Sequence, residues 1–305
     1  MVVPTRNRAH TLRLVAPSYF EQDLVTELIF VDDCGDDDTA AVLEGIAVEY
    51  PHKALRIVRN ATRLGASQSR NVGVSHCSND FVLFCDDDEY LEAGYASTCL
   101  GKLIERKAGA VSGRRVYMLN EESREQALRR FGIGMRRAKP FRPVLCEYVN
   151  GARFAGDIRL PITNAVILTR RELVEAYPFD GFYARGNGYR EESDFQMNLF
   201  VNGFEIFATN ECHSIHLPLS QVRQGGQRTV VFKRIYWSIY YTHYFFGKYY
   251  QRYAHRLSLS TPRWVALGAF GIFAVYRELL RPTLYRIATK LLSLNALQVK
   301  PSSAS

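Results

Sequence analysis

A chain of 305 residues, 47% apolar and 23% charged, is long enough to bury a full core and too evenly mixed for a disordered or fibrous protein. Its six cysteines are scattered, without a CxxC pair or metal-type spacing, which excludes a disulfide framework and reads as reduced thiols in the cytoplasm. The net charge of +8 is uneven: residues 228–305 hold 12 Lys/Arg against one acid, Glu278, a balance of +11, while the rest stands at −3.

In chain order, short apolar runs alternate with helix-like stretches over residues 1 to about 90, the pattern of βαβ units on a mostly parallel sheet. Met1-Val2-Val3-Pro4 reads as the end of a first strand. Leu28–Val31 is a second, running into Asp32-Asp33; Leu55–Val58 is a third and Phe81–Cys85 a fourth. Helices are expected over Thr39–Tyr50 and Ala66–Ser75. Residues 120–160 are charged and irregular and read as an insertion or loop. Ile162–Leu168 is expected as a strand entering Arg170-Arg171, and Phe195–Phe200 as a helix stopped by Asn202-Gly203. After Gly225-Gly226 the composition turns to Tyr, Phe, Trp and Arg, and no internal repeat is present. The opening residues lack the charged and apolar regions of a secretory signal.

Chemistry concentrates where the fourth strand ends. Val82-Leu83-Phe84-Cys85 runs straight into Asp86-Asp87-Asp88-Glu89, so a buried strand presents carboxylates at its C-terminal end, where open α/β sheets bind ligands. Clustered hard oxygens there suit Mg²⁺ or Mn²⁺ holding a diphosphate; the plain alternative is a solvated acidic turn. Glu191-Glu192-Ser193-Asp194 falls in the first turn of an amphipathic helix, where acids also suit the helix dipole.

These pieces come in a set order: Pro4-Thr5-Arg6-Asn7-Arg8, Val31-Asp32-Asp33, Gly65 to Gly73, Asp86-Asp87-Asp88, Thr163-Asn164-Ala165, Pro178-Phe179-Asp180, Glu191 to Asp194, and His216 with Gly225-Gly226. In that order and spacing the chain resembles family 2 glycosyltransferases of the GT-A fold, over roughly residues 1–230. The resemblance implies an α/β fold, a Rossmann-like mixed sheet flanked by helices. It implies a nucleotide-sugar donor bound by Pro4, Thr5, Arg6, Asn7, Asp32 or Asp33, Arg70, Asp86 and Asp87. Asp88, with Asp86 and His216, would hold Mn²⁺ or Mg²⁺. Glu192 would be the base of an inverting transfer, with Glu191 and Asp194 as alternatives. Thr163 and Asn164 would line the acceptor side, and the glycines after His216 would belong to a loop closing over the donor. The plain alternative for Asp33 is helix capping toward Thr39.

Two departures stand out. The chain begins inside the first strand, so a truncated or misplaced start is expected, and the QxxRW signature of processive synthases is absent, so a single sugar addition is expected. The domains are read as a catalytic unit at 1–227, with its donor half to about 115, and a basic aromatic helical tail at 228–305.

That tail reads IYWSIYYTHYFFGKYYQRY over Ile235–Tyr253, followed by an uncharged run, Trp264–Tyr276, between Arg263 and Arg277. Neither is the roughly 20 apolar residues that a spanning helix needs. Aromatics interleaved with cations suit helices lying in a membrane interface, so a peripheral position at the inner face of the cell membrane and a glycan or lipid-linked acceptor are expected. Packing under the catalytic unit, or a homo-oligomer interface, is the alternative. Aromatics with arginines also suit single-stranded nucleic acid, but that leaves the acidic clusters unexplained, so no nucleic-acid partner is expected. A catalytically silent scaffold is a further reading, and the intact acids do not support it.

Overall fold

The computed structural model describes residues 1–133, 139–222 and 230–284. The first part of the chain forms β1 (Val2–Thr5), α1 (Ala9–Val15), α2 (Pro17–Phe20), β2 (Glu27–Asp32), α3 (Thr39–Ala47), β3 (Ala54–Arg59), α4 (Ala66–Ser75) and β4 (Phe81–Phe84). Then come β5 (Glu89–Leu91), α5 (Tyr95–Glu105), β6 (Ala110–Tyr117), α6 (Arg124–Ile133), the small hairpin β7 (Phe141–Arg142) and β8 (Glu147–Tyr148), and β9 (Asp157–Leu160). The chain continues through β10 (Ile167–Arg170), α7 (Arg171–Ala176), α8 (Glu191–Val201) and β11 (Ile206–His216), then α9 (Val231–Arg256) and α10 (Arg263–Val275).

The main sheet runs β3-β2-β1-β4-β10-β6-β11-β5, with β9 also on β11. Strands β3, β2, β1 and β4 are parallel, whereas β10 is antiparallel to both neighbours. The chain moves outward from β1 to β3 and then returns to place β4 on the other side of β1. That reversal is a topological switch point, and it opens a crevice beyond the carboxyl ends of β1, β2 and β4. Both faces of these strands are buried: Val2, Ile29, Val31, Val82 and Phe84 enter one core cluster, and Val3, Leu28, Phe30, Leu83 and Cys85 the other. Their unbroken apolar sequence follows from that double burial. At Gly73 a Cβ would collide with Val2, so glycine lets α4 lie close on β1.

Three expectations are corrected here. Residues 120–160 contain α6, the β7/β8 hairpin and all of β9. The signal for α6 was present in Ser123-Arg124-Glu125-Gln126: Gln126 N–H donates to Ser123 Oγ at 3.2 Å and Ser123 N–H to Gln126 Oε1 at 2.7 Å, a reciprocal capping box. The strand expected at Ile162–Leu168 starts only at Ile167, because Asn164 Oδ1 accepts from Val166 N–H at 2.9 Å and turns the chain out of the ladder. The helix expected to Tyr50 ends at Ala47.

The tail aromatics also divide differently from the interfacial reading. Phe245, Phe246, Tyr249, Tyr250 and Tyr253 of α9 lie in the same core cluster as Val2 and Phe195. This face of α9 is therefore the floor under α8, and the packing alternative holds for it.

Candidate active site

The crevice is a cleft of about 1210 Å³. Pro4, Thr5, Arg6, Arg8, Asp33, Arg70 and Asp86–Asp88 line one side, while Thr163, Asn164, Glu191, Glu192 and His216 also face it. Sequence and topology thus bring most of the expected residues to one place. Asn7 and Asp32 serve the turn beneath instead. Asn7 has a φ of 56° and accepts from Asp36 N–H at 2.8 Å, and Asp32 accepts from Gly35 N–H at 2.8 Å. Asp33 lines the cleft and does not cap toward Thr39, whose N–H and Oγ1 both donate to Asp37. The Asp33 carboxylate accepts from Asn60 Nδ2 (2.9 Å), Leu64 N–H (2.7 Å) and Gly65 N–H (2.9 Å), which fastens the loop entering α4 to the end of β2.

The three aspartates after β4 have three environments. Asp86 is clamped by Arg70 Nη2 at 2.9 Å and Arg115 Nη2 at 2.8 Å. Burial opposes its charge, but the two guanidiniums win and hold its carboxyl below the usual range. Asp87 lies 3.4 Å from Arg8 Nε, and burial pushes it up to about 7 against that cation. Asp88 Oδ1 lies 3.6 Å from His216 Nε2.

Asp88, Glu89 and His216 present ligand atoms within 4.8 Å of one another. The expected trio of Asp88, Asp86 and His216 is thereby revised, because Asp86 is spent on two arginines and Glu89 takes its place in the cluster. Glu89 is fully buried and paired with Arg115, so Asp88 and His216 are the members that face the cleft. His216 Nδ1 is 2.6 Å from Leu217 O. A carbonyl can only accept, so Nδ1 carries a proton, and Nε2 is the ring nitrogen turned toward Asp88. One carboxylate and one imidazole of this kind fit Mn²⁺ or Mg²⁺.

Arg70 was read as a donor ligand, and the structure makes it the hub behind the acids. It is 1% exposed. Nη1 meets Glu191 Oε1 at 2.9 Å, and Nη2 meets Asp86 at 2.9 Å and Glu192 Oε1 at 3.3 Å. Burial works against its charge, yet three carboxylates more than offset that and raise its pKa. Arg115 was not singled out in the sequence, although Arg114-Arg115 stand out inside the otherwise uncharged strand β6.

The acids of α8 separate just as clearly. Asp194 is caged by Lys248 Nζ (2.9 Å), Tyr183 OH (2.8 Å) and Tyr249 OH (2.9 Å), pointing away from the cleft into α9. It is a packing anchor. Glu191 is buried against Arg70, and Glu192 has the more open carboxylate, with 26% of its side chain exposed against 10% for Glu191. The residue before them, Arg190, has a φ of 82°, uncommon for a non-glycine. Arg190 is held there by Leu145 O (3.0 Å), Thr242 Oγ1 (3.3 Å) and the ring faces of Phe245 and Phe270. Helices α9 and α10 therefore set the geometry of the first turn of α8.

Burial raises Glu191 to about 8, with the Glu192 charge adding to it and Arg70 opposing. A folded pKa above the unfolded value means that its stabilising contribution is complete below the ordinary carboxylate range and is lost as pH rises through about 8. Gln mimics the protonated carboxyl, so Glu191→Gln is expected to match wild type in Tm near pH 5 and to gain on it as pH rises toward 8. Each kcal/mol lost moves Tm by roughly 2–4 °C. A pH-independent difference would contradict the raised pKa.

Thr163 and Asn164 face the cleft but are also braced from behind. Thr163 N–H and Oγ1 donate to Gln196 Oε1 (2.6 and 2.9 Å), and Asn164 Nδ2 donates to Gly113 O (2.8 Å). At the far end, Glu147, Tyr189, Arg234, Arg277 and Glu278 complete the wall, so the C-terminal helices belong to the cleft. Gly225-Gly226 lie outside the described residues.

Comparison with known proteins gives one consistent answer. A family model described as glycosyl transferase family 2 matches residues 1–174. The GalNAc(5)-diNAcBac-PP-undecaprenol beta-1,3-glucosyltransferase of Campylobacter jejuni is 32% identical over 106 residues, 34% of this chain and 34% of that protein. Glycosyltransferase GlyA of Streptococcus pneumoniae is 29% identical over 122 residues, 40% of this chain and 17% of that protein. The match thus spans 34% or less of the length of these curated relatives. Among solved structures, S. aureus TarS 1-349 with UDP-GlcNAc superposes with a TM-score of 0.58 at 16% identity, covering 90% of this chain and 72% of that one. The mannosyltransferase PcManGT of Pyrobaculum calidifontis, with GDP-Man and Mn²⁺, gives 0.54 at 16% identity, covering 99% and 75%. The curled mixed sheet flanked by helices is the GT-A fold.

Proposed function

Starting from the fact that the chain belongs to glycosyl transferase family 2, we propose that it moves one hexosyl or deoxyhexosyl unit from a nucleotide-sugar donor to a glycan or lipid-linked acceptor, with inversion. The observation that carries this reading is the single cleft in which Asp88 and His216 face the same space as Glu192. A binding module has no use for a buried arginine that joins the acid after β4 to the acid opening α8. The silent-scaffold reading lacks a comparable observation.

The roles divide by place. Pro4, Thr5, Arg6, Arg8 and Asp33 flank the ends of β1 and β2 and would hold the nucleoside. Asp88 and His216 would hold Mn²⁺ or Mg²⁺, which when bound neutralises charge on the leaving diphosphate. Glu192 would take the proton from the acceptor hydroxyl as that oxygen attacks, and Arg70 orients its carboxylate. Thr163 and Asn164, together with the wall at Glu147 and Arg277, are assigned to the acceptor.

The chain would act at the cytoplasmic face of a membrane, in synthesis of a surface or extracellular polysaccharide. The undecaprenol in the name of the Campylobacter relative supports a lipid-linked acceptor. Among the described residues no helix is long and apolar enough to cross a membrane.

The test is a thermal-shift screen of UDP-, GDP- and dTDP-sugars, each with and without Mn²⁺. One nucleotide class is expected to raise Tm by several degrees only with metal, since ligand at about 100 times its Kd adds roughly 2.7 kcal/mol. Asp88→Ala is expected to erase the metal-dependent part. No shift with any donor would remove the transferase reading.

A further inference from the structure

We propose that the outward face of α10 and of the π-helical turn after it (Tyr276–Leu280) is a docking surface for an anionic lipid bilayer, on which the helix lies flat. The inference deepens the transferase reading by placing the acceptor end of the cleft at the headgroups.

Helix α10 buries Ala266, Phe270 and Ala274, one residue every fourth position, against the rest of the fold. Its opposite stripe is apolar and in water: Trp264 is 76% exposed and Ile272 75%. The stripe continues through Tyr276, Leu280 and Leu284, all exposed. Isolated apolar residues on a surface need no explanation, but a stripe of five at helical spacing marks an interaction face.

Charge decides the occupant. Exposed Arg263 precedes the stripe and exposed Arg281 stands between its last two members, Leu280 and Leu284. The one acid of residues 228–305, Glu278, is turned inward onto Arg234 at 2.9 Å and Arg277 at 3.0 Å. A face edged by cations, on a tail with a balance of +11, repels a second copy of itself and attracts anionic headgroups. An apolar stripe with a cationic border is the pattern of a helix seated at the boundary of headgroups and acyl chains.

Continuity with the cleft gives the face its use. The segment that exposes Tyr276 and Leu280 sends Arg277 the other way, where it meets Glu147 Oε1 at 2.9 Å and lies 5.8 Å from the Tyr189 ring. Arg277 and Glu278 both line the cleft. An acceptor anchored in the lipid beneath α10 would thus emerge beside the wall that they form.

The full chain should be floated with phosphatidylcholine vesicles with and without phosphatidylglycerol. Wild type is expected to rise with the phosphatidylglycerol vesicles and to lose binding as salt increases. Trp264→Glu combined with Ile272→Glu should lower the bound fraction at least about tenfold, through lost apolar burial and added repulsion. Its Tm should stay unchanged, because neither side chain is packed in the fold. Wild type that stays at the bottom with both vesicles, or a double variant that floats equally well, overturns the proposal. A dimer in sedimentation equilibrium that the double variant dissolves, without vesicle binding, would also overturn it and assign the face to self-association. The assay needs no donor, so its failure leaves the transferase reading intact, and a failed donor screen leaves this one intact.

Discussion

Glu192→Gln is expected to lower kcat by about 10²–10⁴-fold, the usual worth of a positioned general base, while donor affinity stays within about twofold. The change keeps the volume and one hydrogen-bonding oxygen toward Arg70, so the ion-pair cluster behind the cleft survives. It removes the lone pair that would receive the acceptor proton. Of the three acids in this turn, Asp194 is excluded by its cage of Lys248, Tyr183 and Tyr249. Glu191 is the harder rival, since it also lines the cleft. Its nearer contact with Arg70 and its lower exposure make it the residue that fixes the guanidinium. The check pairs calorimetric donor titration with single-turnover transfer. Donor binding intact and transfer lost fits a base. Wild-type turnover in Glu192→Gln would transfer the role to Glu191. Loss of donor binding would place Glu192 in the donor site instead.

How much of this was legible in the sequence depends on the range of the interaction. The strands β1, β2 and β4 could be read because their apolar runs are local and doubly buried, and the aspartates after β4 announced the site by position alone. The partner of each acid could not be read. Arg70 and Glu191 are 121 residues apart and meet at 2.9 Å, and no periodicity encodes that meeting. The same limit explains Asp86: as one of three aspartates it looks like a metal ligand, and only the fold reveals that two arginines already hold it. In the tail, composition alone could not separate the aromatics that α9 buries from the stripe that α10 exposes. Ser123 to Gln126 is a different case, since the capping pattern was there and the surrounding charge hid it.

Arg70→Met should be among the most damaging single substitutions in the molecule. The guanidinium is buried among Asp86, Glu191 and Glu192, and removing one partner of such a cluster costs about 3–5 kcal/mol because the remaining charges are left unpaired. At roughly 2–4 °C per kcal/mol, Tm is expected to fall on the order of 10 °C. The pH dependence separates this hub from the donor-ligand role that the sequence suggested. Without the cation, the three carboxylates repel and protonate more readily, so the stability deficit should shrink as pH is lowered from 8 to 5. Arg70→Lys should recover only part of the loss, because a single ammonium cannot reach three carboxylates with separate donors as the planar fork does. A donor ligand would behave in the opposite way: Tm of the free protein would hold in Arg70→Met at every pH, and only nucleotide affinity would drop. That outcome would detach Arg70 from the catalytic acids and leave Glu192 without the group that orients it.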